Sequence, residues 1–163
     1  RAHRGLMESP GHRRNILDPG LTEIGIAIVG EEGGGSLYVV QDFATPFADL
    51  SDTQAFASVR DAVRLARSRS KRPPLEELHS IASRLSEHLD KLMDADSVEV
   101  EAGLVPGPAW VIAYTTASPA EIPEEGLKRI ARASGFALAA GFGRTKSYPF
   151  GIYWVILALT GAT

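Results

Sequence analysis

Ile24, Ile26 and Ile28 alternate with the small residues Gly25 and Ala27, and Leu37 to Ala44 is a second strand-like run. Apolar residues at period two mark strands, so these segments predict a hairpin across the flexible connection Glu31-Glu32-Gly33-Gly34-Gly35-Ser36. Ahead of it, Ser9 suits an N-cap and Pro10 a first helical position, where a missing N–H costs nothing. A short helix is therefore predicted to run from there to the turn cluster Asp18-Pro19-Gly20.

The period then changes. Phe56, Val59, Val63 and Ala66 predict a helix over about 53–68. Leu75, Leu78, Ala82, Leu85, Leu89 and Leu92 form a stronger apolar stripe, predicting a second helix over about 75–93 with that stripe in the core. Val98 and Val100 suggest a short strand, and Trp110 to Tyr114 reads as a buried one. Ser118-Pro119 opens a helical stretch from Ile122 to Ala133, and two strands, Phe136 to Phe142 and Ile152 to Leu159, follow around a turn that ends at Pro149.

The end of the chain repeats its beginning. In each case a Ser-Pro pair, a helix, a strand, a turn and a strand follow one another, with Tyr38-Val39-Val40 and Tyr153-Trp154-Val155 in matching places. Only the second copy is preceded by two helices and a central strand. The expected division is thus residues 1–49, the back half of a module, and residues 50–163, a whole one. A lone helix with a two-stranded hairpin is marginal in water, so residues 1–49 are expected to pack on the second module or on another copy of the chain.

With 163 residues, 44% hydrophobic and 23% charged, the chain has ordinary globular composition and is long enough for a real core. The longest apolar run, Tyr153 to Leu159, is far short of a membrane span. Net charge is −3, which gives no electrostatic footprint for nucleic acid. Cysteine is absent, which excludes disulfides, thiolate nucleophiles and Cys-type zinc sites. The basic run from Arg67 to Arg72 before Pro73-Pro74 reads as a solvated loop in preference to a phosphate patch. The start at Arg1, without Met or an apolar leader, predicts either processing or a fragment of a longer chain.

The run Ser9-Pro10-Gly11-His12-Arg13-Arg14-Asn15-Ile16-Leu17, with Leu21 to Ile28 and Tyr38 to Phe43 after it, resembles the bacterial branch of the CAP superfamily (cysteine-rich secretory proteins, venom antigens and pathogenesis-related proteins). The resemblance is specific over residues 5–44 and looser over residues 52–159. It implies an α+β fold, an α-β-α sandwich with a small antiparallel sheet flanked by helices. It makes residues 1–49 the C-terminal half of one such module and residues 50–163 a degenerate second. It implies a secreted or extracytoplasmic location and, usually, no demonstrated reaction. Many members hold a divalent cation with two His and two acidic residues. Of that set only His12 has a match here, an incomplete site, so no cofactor is expected unless the front half of the first module is present. Aligning the two Ser-Pro pairs puts Glu121 opposite His12, so the second copy is read as having lost the cleft.

Several residues have plainer readings. His12 is expected to cap or pack the helix start, His3 to be solvated, and Glu23 and Asp42 to be exposed. Glu8 is not a dependable partner for His12. His79 and His88 lie nine apart on the predicted helix, on opposite sides, and so cannot share an ion. Ser9 beside His12 lacks a third residue to orient a hydrolase pair. Gly33-Gly34-Gly35 lacks the following helix that a phosphate loop needs. The aromatic stretch Tyr148 to Trp154 reads as a turn packing its own rings before a glycan or apolar-ligand rim. Three functions remain: a non-catalytic binding or scaffold module, which is preferred; a metal-assisted hydrolase or peptidase with its site incomplete here; and an apolar-ligand carrier. A homo-oligomer through the half-module is the partner expected, with neither nucleic acid nor a membrane span.

Overall fold

The alternation near the amino end becomes an antiparallel pair, β1 (Glu23–Gly30) and β2 (Leu37–Ala44), with Ile24, Ile26 and Ile28 opposite Phe43, Gln41 and Val39. This is a computed structural model, and it describes residues 2–31, 33–45 and 49–161. Arg1, Glu32 of the predicted hairpin connection and residues 46–48, at the expected module boundary, lie outside the described residues. The chain forms two compact units, residues 1–47 and 48–163.

In the first unit, α1 (Ala2–Glu8) and α2 (Pro10–Ile16) precede the hairpin. Ser9 between them is extended, and Pro10 occupies the first turn of α2 as expected. The connection from β1 to β2 turns at Gly33 and Gly34, whose φ values of 101° and 84° favour glycine. Ile26 is 59% exposed, and the other large apolar side chains of β1 are exposed too.

The second unit is built on a four-stranded sheet in the order β3-β5-β6-β4: β3 (Glu76–Glu77), β4 (Ala109–Thr116), β5 (Gly135–Gly143) and β6 (Ile152–Thr160). β6 runs antiparallel to both of its neighbours, and only the two-residue β3 pairs in parallel. Helices cover both faces. On one face α3 (Asp52–Arg69) and α5 (Glu124–Ile130) bury Val59, Val63 and Ile130 against Leu138, Val155 and Leu157. On the other, α4 (Ala82–Ala95) buries Leu85, Leu89 and Leu92 against Ala137, Ala139, Trp154 and Ile156. Covered on both sides, β6 needs the continuous apolar run that it has. The α+β class holds, with the helix-sheet-helix layering in this unit. No helix among the described residues is long and apolar enough to cross a membrane.

Local chemistry sets the helix ends. Ser51 and Gln54 form a reciprocal capping box at the start of α3. α4 ends at Asp96, which is left-handed at φ 52°; its carboxylate accepts from the Thr145 hydroxyl at 2.6 Å and from the Ser147 N–H at 2.8 Å.

Three expectations need correction. The stripe from Leu75 does not start a helix: Pro73-Pro74 precedes an extended stretch in which the Glu76 and Leu78 N–H groups donate to Ser134 and Phe136, and α4 begins only at Ala82. Val98 and Val100 lie in a loop. Ser118-Pro119 does not open α5, which starts at Glu124 behind Pro123; the Thr116 hydroxyl instead caps a bend by bonding the Ser118 backbone. Helix, strand and antiparallel strand do succeed one another in both units, and Tyr38 and Tyr153 are each the second residue of their strand. Within the helices, His12 is third in α2 and Gly126 is third in α5, while Glu121 lies ahead of α5.

Candidate functional site

His12 sits in the first turn of α2, three residues after Ser9 at the helix cap. Its Nδ1 lies 2.9 Å from the Ser9 Oγ, and that hydroxyl caps no backbone N–H. This is the structural hydrogen bond at the helix start that the residue pattern implied. Beside it is a concavity of about 240 Å³ between the helices and β2. Leu6, Val39, Val40 and Phe43 give it apolar walls, while His12, Asn15 and Gln41 supply hydrogen-bonding groups. Val39, Gln41 and Phe43 converge because alternate residues of a strand share one face.

No ion pair joins Glu8 to His12 among the described residues. Glu23 and Asp42 are exposed, and register puts both on the face of the hairpin away from Val39, Gln41 and Phe43. Among the described residues no group of three or more His, Cys, Asp or Glu side chains could hold a metal ion. The residues present at His12 therefore do not fit a divalent cation, which needs several converging ligands. A serine nucleophile would also need its base held by a third group, and among the described residues none is bonded to His12.

The other candidates resolve one by one. His3 is exposed. His79 is exposed in a single turn of tighter helix before α4, whereas His88 is buried on α4 with Nε2 lacking a protein partner. The glycine turn holds a carboxylate of its own: Glu31 accepts from the Ser36 N–H at 3.1 Å and from the Tyr38 hydroxyl at 3.0 Å. Of the aromatic stretch, Tyr148 and Tyr153 pack edge-on against Trp154 and Phe142, while Phe150 stands 87% exposed.

The basic run departs from expectation. Arg67 is not solvated; it lies in the last turn of α3, 7% exposed. Its Nε donates to the Pro73 carbonyl at 2.7 Å, and Nη1 donates to the carbonyls of Ile130 and Ala131 at 2.9 and 3.0 Å. Those last two are open carbonyls at the end of α5, where a cation is favoured. Sequence reasoning missed this because two of the three partners, Ile130 and Ala131, lie more than sixty residues away.

Residues 1–43 match the model of the cysteine-rich secretory protein (CAP) family, which covers the two helices and nearly all of the hairpin. No curated protein and no solved structure matches the chain. The match ends within β2, so the similarity to that family stands on 43 of the 163 residues and on the segment that carries His12.

Proposed function

We propose that this chain is a secreted CAP-like module that binds a ligand without breaking bonds in it. The observation that carries the reading is the wall of the His12 concavity. It offers apolar surface and hydrogen-bonding groups, while the histidine is engaged by Ser9 and no carboxylate orients it among the described residues. Such a lining suits a small neutral ligand held by shape and hydrogen bonds. The match over residues 1–43 supports the CAP-like part of the reading. Descent of residues 50–163 from a second, degenerate module belongs to the same proposal, supported by the shared helix-strand-strand order.

The test combines turnover and binding on the full chain. Hydrolysis of p-nitrophenyl acetate and of labelled casein, with and without added zinc, is expected to stay at the buffer rate. Ligand-observed NMR with small neutral compounds is expected to give contacts that His12→Ala and Gln41→Ala weaken. Turnover abolished by His12→Ala would overturn the reading.

A further inference from the structure

A second cavity, of about 430 Å³, lies in the other unit beside the end of α3. Pro74 and Leu75 give it an apolar wall with Val63 behind them, and Arg67, Ser68 and Arg72 bring polar groups to it. Its volume is in the range of small-molecule sites. Arg64 also lines it, but Glu77 holds that guanidinium at 2.9 Å.

Arg67 is the informative group. Three backbone carbonyls solvate its Nε and Nη1 without neutralising its charge, and no carboxylate pairs with it among the described residues. A buried charge is costly unless it is paired. Its Nη2 makes no hydrogen bond among the described residues, and it is not among their sealed, unpartnered polar atoms, so this nitrogen is not shut off from solvent. Arg72, exposed on the same cavity and unpaired among the described residues, adds a second guanidinium.

We infer that this cavity binds a small organic oxyanion, a carboxylate or phosphomonoester, whose charged end takes the free face of Arg67 and whose apolar body rests on Pro74 and Leu75. The two guanidinium groups would supply charge-assisted hydrogen bonds, the stronger kind. The inference concerns residues outside the family match and is independent of the reading of His12.

The test is calorimetric titration of the full chain with phenyl phosphate, benzoate, inorganic phosphate and benzyl alcohol. Phenyl phosphate and benzoate are expected to bind, and to weaken as salt rises. Inorganic phosphate, lacking the apolar body, and benzyl alcohol, lacking the charge, are each expected to bind at least ~10-fold more weakly. Arg67 also holds the fold, so the variants are Arg72→Ala, expected to weaken phenyl phosphate ~10-fold, and Ser68→Glu, which tethers a carboxylate at the cavity and is expected to block it. Circular dichroism checks that both variants fold. Inorganic phosphate or benzyl alcohol binding as well as phenyl phosphate would overturn the inference. So would binding that neither variant changes, or no binding by any of the four.

Discussion

Truncating Leu85 to alanine tests the packing of α4 on the sheet. Leu85 is fully buried in the cluster that holds Ala137, Ala139, Trp154 and Ile156, and the two alanines are small residues that let the helix approach closely. The change removes three apolar carbons, worth about 0.8 kcal/mol each in transfer from water, so about 2.4 kcal/mol is lost before any cavity forms. The alanines opposite have no longer side chain to swing into the space, so the cavity persists and brings the cost to about 3–4 kcal/mol. At about 4 °C per kcal/mol for a unit of this size, the midpoint should fall by about 12–16 °C. Both tryptophans, Trp110 and Trp154, lie in the second unit, so tryptophan fluorescence during thermal unfolding follows that unit alone. Leu65→Ala, on the exposed side of α3, is the control and should change stability by less than about 0.5 kcal/mol. A Leu85→Ala midpoint within a degree of the parent would show that the α4 stripe is not core.

Other perturbations follow from single contacts. Hydrogen bonds from Thr145, then from Ser147, hold the Asp96 carboxyl below its ordinary value of 3.8, with Lys146 helping and partial burial opposing. A depressed folded-state value means stabilisation that is complete above the unfolded-state value and is lost as pH falls through the folded one. Asp96→Asn should therefore lower the thermal midpoint at pH 7 and cost progressively less as pH falls into the acid range; an equal loss at pH 7 and pH 2 would refute the linkage. The Tyr114 hydroxyl is buried without a partner among the described residues, so Tyr114→Phe should leave stability unchanged or raise it by up to about 1 kcal/mol in urea unfolding. Burial also pushes that hydroxyl upward, so one tyrosine should resist ionisation when absorbance is followed to high pH. Gly151→Ala places a Cβ into the Phe142 ring at a residue with φ 91°, and should cost at least about 2 kcal/mol by the same fluorescence melt.

What the residue pattern revealed followed the range of the forces involved. The hairpin of residues 23–44 and the strands from Gly135 onward were legible because alternation and turn chemistry act between neighbours. Leu75 and Leu78 mimicked a helical stripe because apolar spacing does not record whether the backbone is extended, and the short β3 carries no apolar signal, being Glu76-Glu77. The hydrogen bond of His12 was readable for the same reason of nearness, Ser9 being three residues away. The concavity beside it needed β2 to return against the helices, and the burial of Arg67 needed α5 to end beside α3. No local pattern encodes either meeting.

The place of β6 between β4 and β5 has a consequence for synthesis. During translation β4 and β5 leave the ribosome with the strand that joins them still unmade, since each pairs mainly with residues 152–160. Until that stretch emerges, β4 must wait without a strand neighbour and β5 with only the two-residue β3 beside it, a condition in which nascent chains aggregate. A ribosome stalled before residue 152 would therefore display a sticky intermediate, and the newborn chain's dependence on chaperones should peak just ahead of that point.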